Sequence, residues 1–146
     1  MNKNMADARH LGIHLASRRE RELFKWFLAS LLFGKPIQTE IAVRAYQELV
    51  NANLTGPGQI RRAGWDRLVA LLDQAHYVRY DFSTATKLLD VCEELQQKHG
   101  SLKKLLAQSK SASDLSRNLQ EMKHIGPVTA RIFLREIRPI WYPKAA

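Results

Sequence analysis

The chain lacks most of the residues on which disulfide-bonded and metal-binding proteins depend. Cys92 is its one cysteine, which excludes an internal disulfide framework and any site held by four thiolates. Cys92 falls within an apolar helical pattern, so we expect a buried core thiol in a protein of a reducing compartment. We expect no cofactor and no zinc site, because zinc-like spacing backed by Cys or Asp is missing around the five histidines, His10, His14, His76, His99 and His124.

Long apolar runs are also missing from the sequence. No stretch approaches the roughly 18 uninterrupted apolar residues of a membrane-spanning helix, and the polar start of the chain has no apolar signal core. We therefore expect a cytoplasmic protein with no membrane partner. No alternating run predicts a strand, and no fixed period indicates a solenoid.

Positive charge is what the chain has in excess. Lys and Arg total 23 against 14 Asp and Glu, which gives a formal net charge of +9. A basic domain of this size concentrates anions around itself, and phosphate polymers are common partners of such domains. Solubility alone, or attraction to an anionic membrane surface, would explain the same charge.

Apolar residues recur at helical spacing along most of the chain and predict an all-α fold. We expect about eight helices in one compact orthogonal domain at 18–146, after an N-terminal basic segment at 1–17. The clearest apolar stripe should begin after an N-cap at Ser17 and end at Gly34. It contains Leu23, Phe24, Phe27, Leu28, Leu31 and Leu32.

Further along the chain, turn and cap residues divide the helical pattern. Gly64 and Trp65 open one apolar run, and Ser83 is expected to cap a long helix that ends near Gly100. Three aromatic side chains at apolar helical positions are expected in the core: Trp26, Tyr46 and Trp65.

One segment, Leu119 to Glu136 (LQEMKHIGPVTARIFLRE), joins two helical patterns through a short hairpin. We expect Gly126 to adopt a positive φ in the turn, and Pro127 is preset for the first helical position. The second helix would then start with free N–H groups on Gly126, Val128 and Thr129, which can hold a phosphate oxygen. Side chains expected to add charge or a hydroxyl there are Lys123, Arg131 and Thr129.

This hairpin resembles the helix-hairpin-helix of the DNA glycosylase superfamily that includes endonuclease III and alkyladenine glycosylase. The family pattern, approximately Leu-Pro-Gly-Val-Gly-x-x-Thr-Ala, aligns with Met122 to Ala130, and His124 stands where the pattern has its first glycine. More diffuse similarity runs from about Arg18 to Arg138. The resemblance implies an all-helical, repair-related domain that contacts double-stranded DNA through the hairpin.

Several residues outside the turn are further candidates for DNA contact. Interleaved aromatic and cationic side chains are typical of surfaces that stack on nucleic acid, although each can equally serve packing. The candidates that we add to His124 on these grounds are Lys35, Tyr77, Arg79 and Tyr80. By the family resemblance, a monovalent cation would be bound by the main-chain carbonyls of Gln120, Met122 and His124.

The same resemblance implies that the chemistry of the family is lost. Val128 stands at the position of the lysine that attacks the sugar in bifunctional members, and its hydrocarbon side chain supplies no nucleophile. Counting onward to the position of the catalytic aspartate reaches Ala146, and no acid follows Glu136. Glu136 and Asp81 are the candidate substitutes, although an acid on a helix more often pairs with a neighbouring arginine.

We therefore expect a protein of base-excision repair that holds duplex DNA through its backbone phosphates, without glycosylase or lyase activity. Two alternatives stay open: a monofunctional, endonuclease III-like DNA glycosylase with a non-standard acid, and an interaction module that binds an acidic protein. A steep salt dependence of duplex binding would separate the first two functions from the third. Base release from damaged duplexes would separate the enzyme from the binding protein.

Overall fold

Seven α-helices account for most of residues 7–143, the part of the chain that the computed structural model describes. In chain order they are α1 (Glu20–Phe33), α2 (Thr39–Asn51), α3 (Pro57–Gln74), α4 (Asp81–Glu94), α5 (Leu102–Gln108), α6 (Ala112–Gln120) and α7 (Pro127–Trp141). A short 3₁₀ helix (Leu15–Ser17) precedes α1, and a π-helical turn (Leu95–His99) continues α4. Residues 7–143 contain no strand, so the all-α prediction is confirmed, with seven α-helices rather than about eight.

Helix α1 forms the centre of the fold because its sequence is apolar on nearly every face. Eleven of its 14 residues are buried, as expected of a helix with hydrophobic residues all round. Phe27 of α1 meets Phe133 of α7 edge-on, with ring centroids 5.5 Å apart. The indole N–H of Trp26 donates to the carbonyl of Phe133 at 3.1 Å. Helix α7, which carries the second half of the hairpin, is therefore held directly to the core helix.

The C-terminal end of α1 is closed by side chains from the region of α4. The last carbonyls of a helix receive no hydrogen bond from N–H groups of the same helix. Here the Tyr77 hydroxyl donates to the carbonyl of Leu32 at 2.8 Å. The Lys87 ammonium donates to the carbonyl of Leu31 at 3.0 Å. Gly34 follows as the C-cap, and a Cβ at this position would overlap Oγ1 of Thr129. The end of α1 thus touches both the start of α4 and the start of α7.

Two predicted helix caps are wrong for local reasons. Ser17 lies in the 3₁₀ turn and donates to the carbonyl of His14 at 2.7 Å instead of capping α1. Helix α4 begins two residues before Ser83, whose hydroxyl is 3.3 Å from the carbonyl of Tyr80. Helix α3 begins earlier than the apolar run, at Pro57, but its backbone is non-helical at Gly64, where φ is +82°, so the apolar run predicted from Gly64 follows a kink in α3.

The core gathers residues from nearly the whole described chain. Trp26, Tyr46 and Cys92 are buried as predicted. From the predicted 1–17 segment, Ala8 and Leu15 are buried in this same core. Residues 1–6 and 144–146, which include Ala146, lie outside the described range. Within that range, no helix has the length and apolar character needed to cross a membrane.

Candidate nucleic-acid interface

The turn between α6 and α7 is tight and is anchored by two buried side chains. Met122 and Ile125 are buried in the core, and the Ile125 N–H donates to the Met122 carbonyl at 3.2 Å. The left-handed residue of the turn is His124, with φ at +73°. Gly126 has φ at −102° and ψ at −173°, so the predicted positive φ at Gly126 is wrong. The chain has already reversed direction at His124, and Gly126 is the extended N-cap of α7.

Acidic residues of α4 hold His124 and its neighbour in place. His124 Nε2 lies 2.9 Å from Oδ2 of Asp90, and the same oxygen is 3.8 Å from Nζ of Lys123. The Lys123 backbone N–H donates to Glu94 at 3.0 Å. A non-glycine residue in the left-handed region costs roughly 1–2 kcal/mol, and these contacts offset part of that cost. They also place carboxylates beside Lys123, which weakens it as a phosphate contact.

The first turn of α7 has the geometry of an anion-binding helix start. Pro127 occupies the first helical position and lacks an N–H, and the next N–H groups, on Val128 and Thr129, have no acceptor within the helix. The positive end of the helix dipole lies at these groups. Val128 is 45% exposed, whereas the Thr129 side chain is buried against Gly34. Thr129 therefore offers a less exposed hydroxyl than the sequence predicted.

This helix start forms one wall of a cleft of about 580 Å³. The start of α4 forms the facing wall, and the end of α1 contributes the rim through Gly34 and Lys35. Two amines, those of Lys35 and Lys87, belong to the cleft, and no carboxylate of residues 7–143 lines it. The complete lining consists of Gly34, Lys35, Phe82, Ser83, Thr86, Lys87, His124, Gly126, Pro127, Val128 and Thr129.

Lys87 is a functional candidate that the sequence analysis missed. Its residue is only 6% exposed, and burial, followed by the charge of Lys35, lowers its pKa to about 8. The sequence signal for Lys87 was its position on the buried face of α4. It lies three residues after Thr84 and four before Val91, and both of these are buried. A lysine on the apolar stripe of a helix needs a special environment. Its partner, the carbonyl of Leu31, could not be identified without the fold.

An exposed aromatic pair lies at the edge of the cleft. Phe82 is 60% exposed and Trp65 is 37% exposed, with ring centroids 5.1 Å apart. The Trp65 indole N–H donates to Thr86 at 3.1 Å. The prediction that Trp65 belongs to the core is therefore wrong: α3 buries Leu68 and the leucines beyond it, while Trp65 packs on an exposed ring of α4.

The other aromatic and cationic candidates lie in different environments. Tyr77 is fully buried and bonded to Leu32, so the prediction that it stacks on DNA is wrong. Tyr80 is half-buried, and its ring centroid is 5.2 Å from Nζ of Lys35 and 5.5 Å from Cζ of Arg79. The fold thus brings Lys35, Arg79 and Tyr80 together, with both cations over the tyrosine ring.

Arg131 lies on a different side of α7 from the cleft. It lines a second groove, between α6 and α7, together with Arg135 and Arg138. The two hollows share Pro127, so the start of α7 stands between them. Positive side chains therefore lie on both sides of the start of α7.

The two candidate acids lie outside the cleft. Glu136 has Oε2 at 3.8 Å from Nε of Arg135, and Asp81 accepts from the Phe82 N–H at 2.6 Å. A hydrogen bond with Asp81 also raises the pKa of Asp73. A general acid must reach the group that it protonates, and neither Asp81 nor Glu136 is among the residues that line the cleft.

Metal ligation by side chains and metal ligation by main-chain carbonyls are separate questions at this interface. No group of three or more His, Cys, Asp or Glu residues within 7–143 is arranged to hold a metal ion. Of the three carbonyls predicted to bind a monovalent cation, that of Met122 already accepts the Ile125 N–H. The carbonyls of Gln120 and His124 flank it in the turn.

No protein-family model matches the chain, and neither the curated proteins nor the solved structures include a significant match to it.

Proposed function

We propose that the protein binds duplex DNA through backbone phosphate at the start of α7 and lacks glycosylase and lyase activity, as a repair-related relative of helix-hairpin-helix glycosylases. The observation that carries the proposal is the first turn of α7, where the N–H groups of Val128 and Thr129 have no acceptor within the helix, where the Val128 residue is exposed, and which lies between two hollows lined by positive side chains. Helix starts of this kind bind phosphate without reading the bases.

The distribution of charge supports one direction of approach. Asp90, Glu93 and Glu94 of α4 line a shallow hollow together with Lys123, and these carboxylates would repel a phosphate backbone. On the other sides of the hairpin, Lys35 borders the cleft and Arg131 borders the groove. The DNA is therefore expected to contact the side of the hairpin formed by Lys35 and Arg131.

The absence of a suitable acid supports a binding role over catalysis. Val128 supplies no nucleophile at the hairpin, and no carboxylate lines the adjoining cleft. A base-excising enzyme needs a group that stabilises the developing sugar cation or activates water beside the bound nucleotide.

Substitution of Gly126 by valine tests the proposal. A Cβ at Gly126 meets nothing within 4 Å, and its φ of −102° is allowed for any residue, so the variant should fold normally. Its isopropyl group would occupy the approach to the α7 N–H groups and should weaken duplex binding about tenfold, the effect of roughly 1.4 kcal/mol. Fluorescence anisotropy of a labelled duplex measures the affinity, and circular dichroism measures the helical content.

A charge-neutral control separates local from general effects. Ala107→Val places a similar bulk on the exposed face of α5, outside the cleft, and should leave the affinity unchanged. Equal affinity of the parent and of a folded Gly126→Val protein would refute phosphate binding at this helix start.

A further inference from the structure

The cleft beside α7 is a recess that adjoins the helix start. It is concave, with a volume of about 580 Å³, and Lys87 lies in its wall with 6% of the residue exposed. A phosphodiester within a duplex carries a sugar on each side and lies on a convex surface. A terminal phosphate has a single ester bond and projects from the end of a strand, so it can enter a recess of this kind.

The charges in the cleft are those that a doubly charged anion would balance. Among the described residues, the Leu31 carbonyl is the only hydrogen-bond acceptor of the Lys87 ammonium, which has three N–H donors. Lys35 lies near enough to repel it, and no carboxylate in the lining separates the two amines. A phosphomonoester carries about −1.5 to −2 charges at neutral pH, whereas a diester carries one.

Exposed apolar groups are concentrated at the same place. Four large hydrophobic side chains are exposed in the described chain: two of them, Phe82 and Val128, line this cleft, and a third, Trp65, packs against Phe82. Exposed aromatic faces stack on nucleobases of any sequence. A bare phosphate ion would leave this apolar edge unused, whereas a nucleotide would cover it.

We propose that the cleft binds the phosphomonoester of a nucleotide at the end of a DNA strand. The phosphate lies between the start of α7 and the amines of Lys35 and Lys87, and the terminal base packs against Phe82. This inference rests on the proposed function, because it places a terminal phosphate of the DNA at the same helix start that is proposed to contact backbone diesters.

Phosphorylated and unphosphorylated strand ends provide the test. We would compare duplexes with one recessed end that carries a 5′-phosphate, a 3′-phosphate or only hydroxyl groups. Of the 5′-phosphate and 3′-phosphate ends, the one that binds more tightly should exceed the hydroxyl end in affinity about tenfold. This is the effect of one or two additional charge-assisted hydrogen bonds. Equal affinity for all three ends would overturn the proposal.

Two surface variants connect the preference with the cleft. Lys35→Gln alters a half-buried residue outside the core and Phe82→Ala an exposed one, so both proteins should fold, and each should reduce the preference for the phosphorylated end. Lys103→Gln, which removes an exposed lysine of α5, is the matched control and should retain the preference. A preference that survives both cleft variants would overturn the assignment to this site. Lys87→Met adds a further arm, provided that thermal unfolding shows the variant to be folded.

Free nucleotides distinguish the source of the phosphate. Deoxyadenosine monophosphate should compete weakly and deoxyadenosine should not compete, if the strand end is the ligand. Competition by the free nucleotide as strong as that by the strand end would overturn the assignment to DNA ends. Duplex binding that Gly126→Val weakens without any preference for phosphorylated ends would refute this inference alone. Monoester binding without affinity for hydroxyl-ended duplex would instead refute the proposed contact with backbone diesters.

Discussion

Gly34 determines how closely the end of α1 approaches the start of α7. Its φ of −70° suits any residue, so the requirement for glycine is steric: a Cβ would overlap Oγ1 of Thr129. Gly34→Ala should therefore lower the free energy of unfolding by about 1–3 kcal/mol, the usual cost of overpacking. Urea denaturation measures this change.

A double variant identifies the cause of that loss. Thr129→Ala removes the overlapping hydroxyl, so Gly34→Ala should cost less in that background. An unchanged cost would show that the strain arises elsewhere.

Lys87 should make stability depend on pH above neutrality. Its pKa is about 8 in the folded state, against 10.5 for an unperturbed lysine. Between these values the unfolded chain binds more protons, so the free energy of unfolding rises with pH, by at most about 1.4 kcal/mol per unit. Burial raises the pKa of Cys92 and of Tyr77 to about 12 each. Deprotonation of these two groups in the unfolded chain reverses the trend at higher pH.

The measurement is a series of urea midpoints from pH 7 to 10. Stability should increase between pH 8 and 9 in the parent protein, and Lys87→Met should lack that increase. The same increase in the variant would assign it to another group.

At the scale of the element, the two cations that flank the hairpin, Lys123 and Arg131, should contribute unequally to DNA binding. Lys123 faces Asp90, whereas Arg131 borders the groove between α6 and α7. Arg131→Gln should therefore reduce the slope of log affinity against log salt by about 0.9, the value for one lost phosphate contact. Lys123→Gln should change the slope less. Titrations of one duplex at several salt concentrations measure both, and a larger effect of Lys123 would place the DNA on the acidic side of α4.

Element types could be predicted from the sequence more reliably than the site. Helical spacing of apolar residues predicts α1 and α7 because each buries a continuous face. The sequence predicts the left-handed turn residue at Gly126, because glycine adopts a positive φ at the lowest cost. In the structure His124 adopts the positive φ instead, and its ring contacts Asp90. Lys87 acquires its role from a contact with Leu31, which lies 56 residues away along the chain. Such contacts leave no local pattern to find.

At the scale of the whole molecule, the fold gathers Lys35 and Lys87 in one cleft whose described lining contains no carboxylate. We expect no base release from alkylated, oxidised or deaminated duplexes, because no carboxylate lines the cleft. Val128→Lys should not produce base release either, since a lysine there still lacks an acidic partner. Single-turnover assays with excess protein test both statements. Base release by the parent that Glu136→Gln or Asp81→Asn abolishes would identify an enzyme instead.

The exposed position of Trp65 gives the molecule a built-in optical reporter. Trp26 is fully buried, Trp141 is half-buried beneath the guanidinium of Arg18, and Trp65 lies at the edge of the cleft. The long-wavelength part of the tryptophan emission should therefore come mainly from Trp65. A nucleobase stacked on Phe82 would quench that component and leave the short-wavelength emission of Trp26 nearly constant. Occupancy of the cleft can thus be followed by fluorescence in the unlabelled protein.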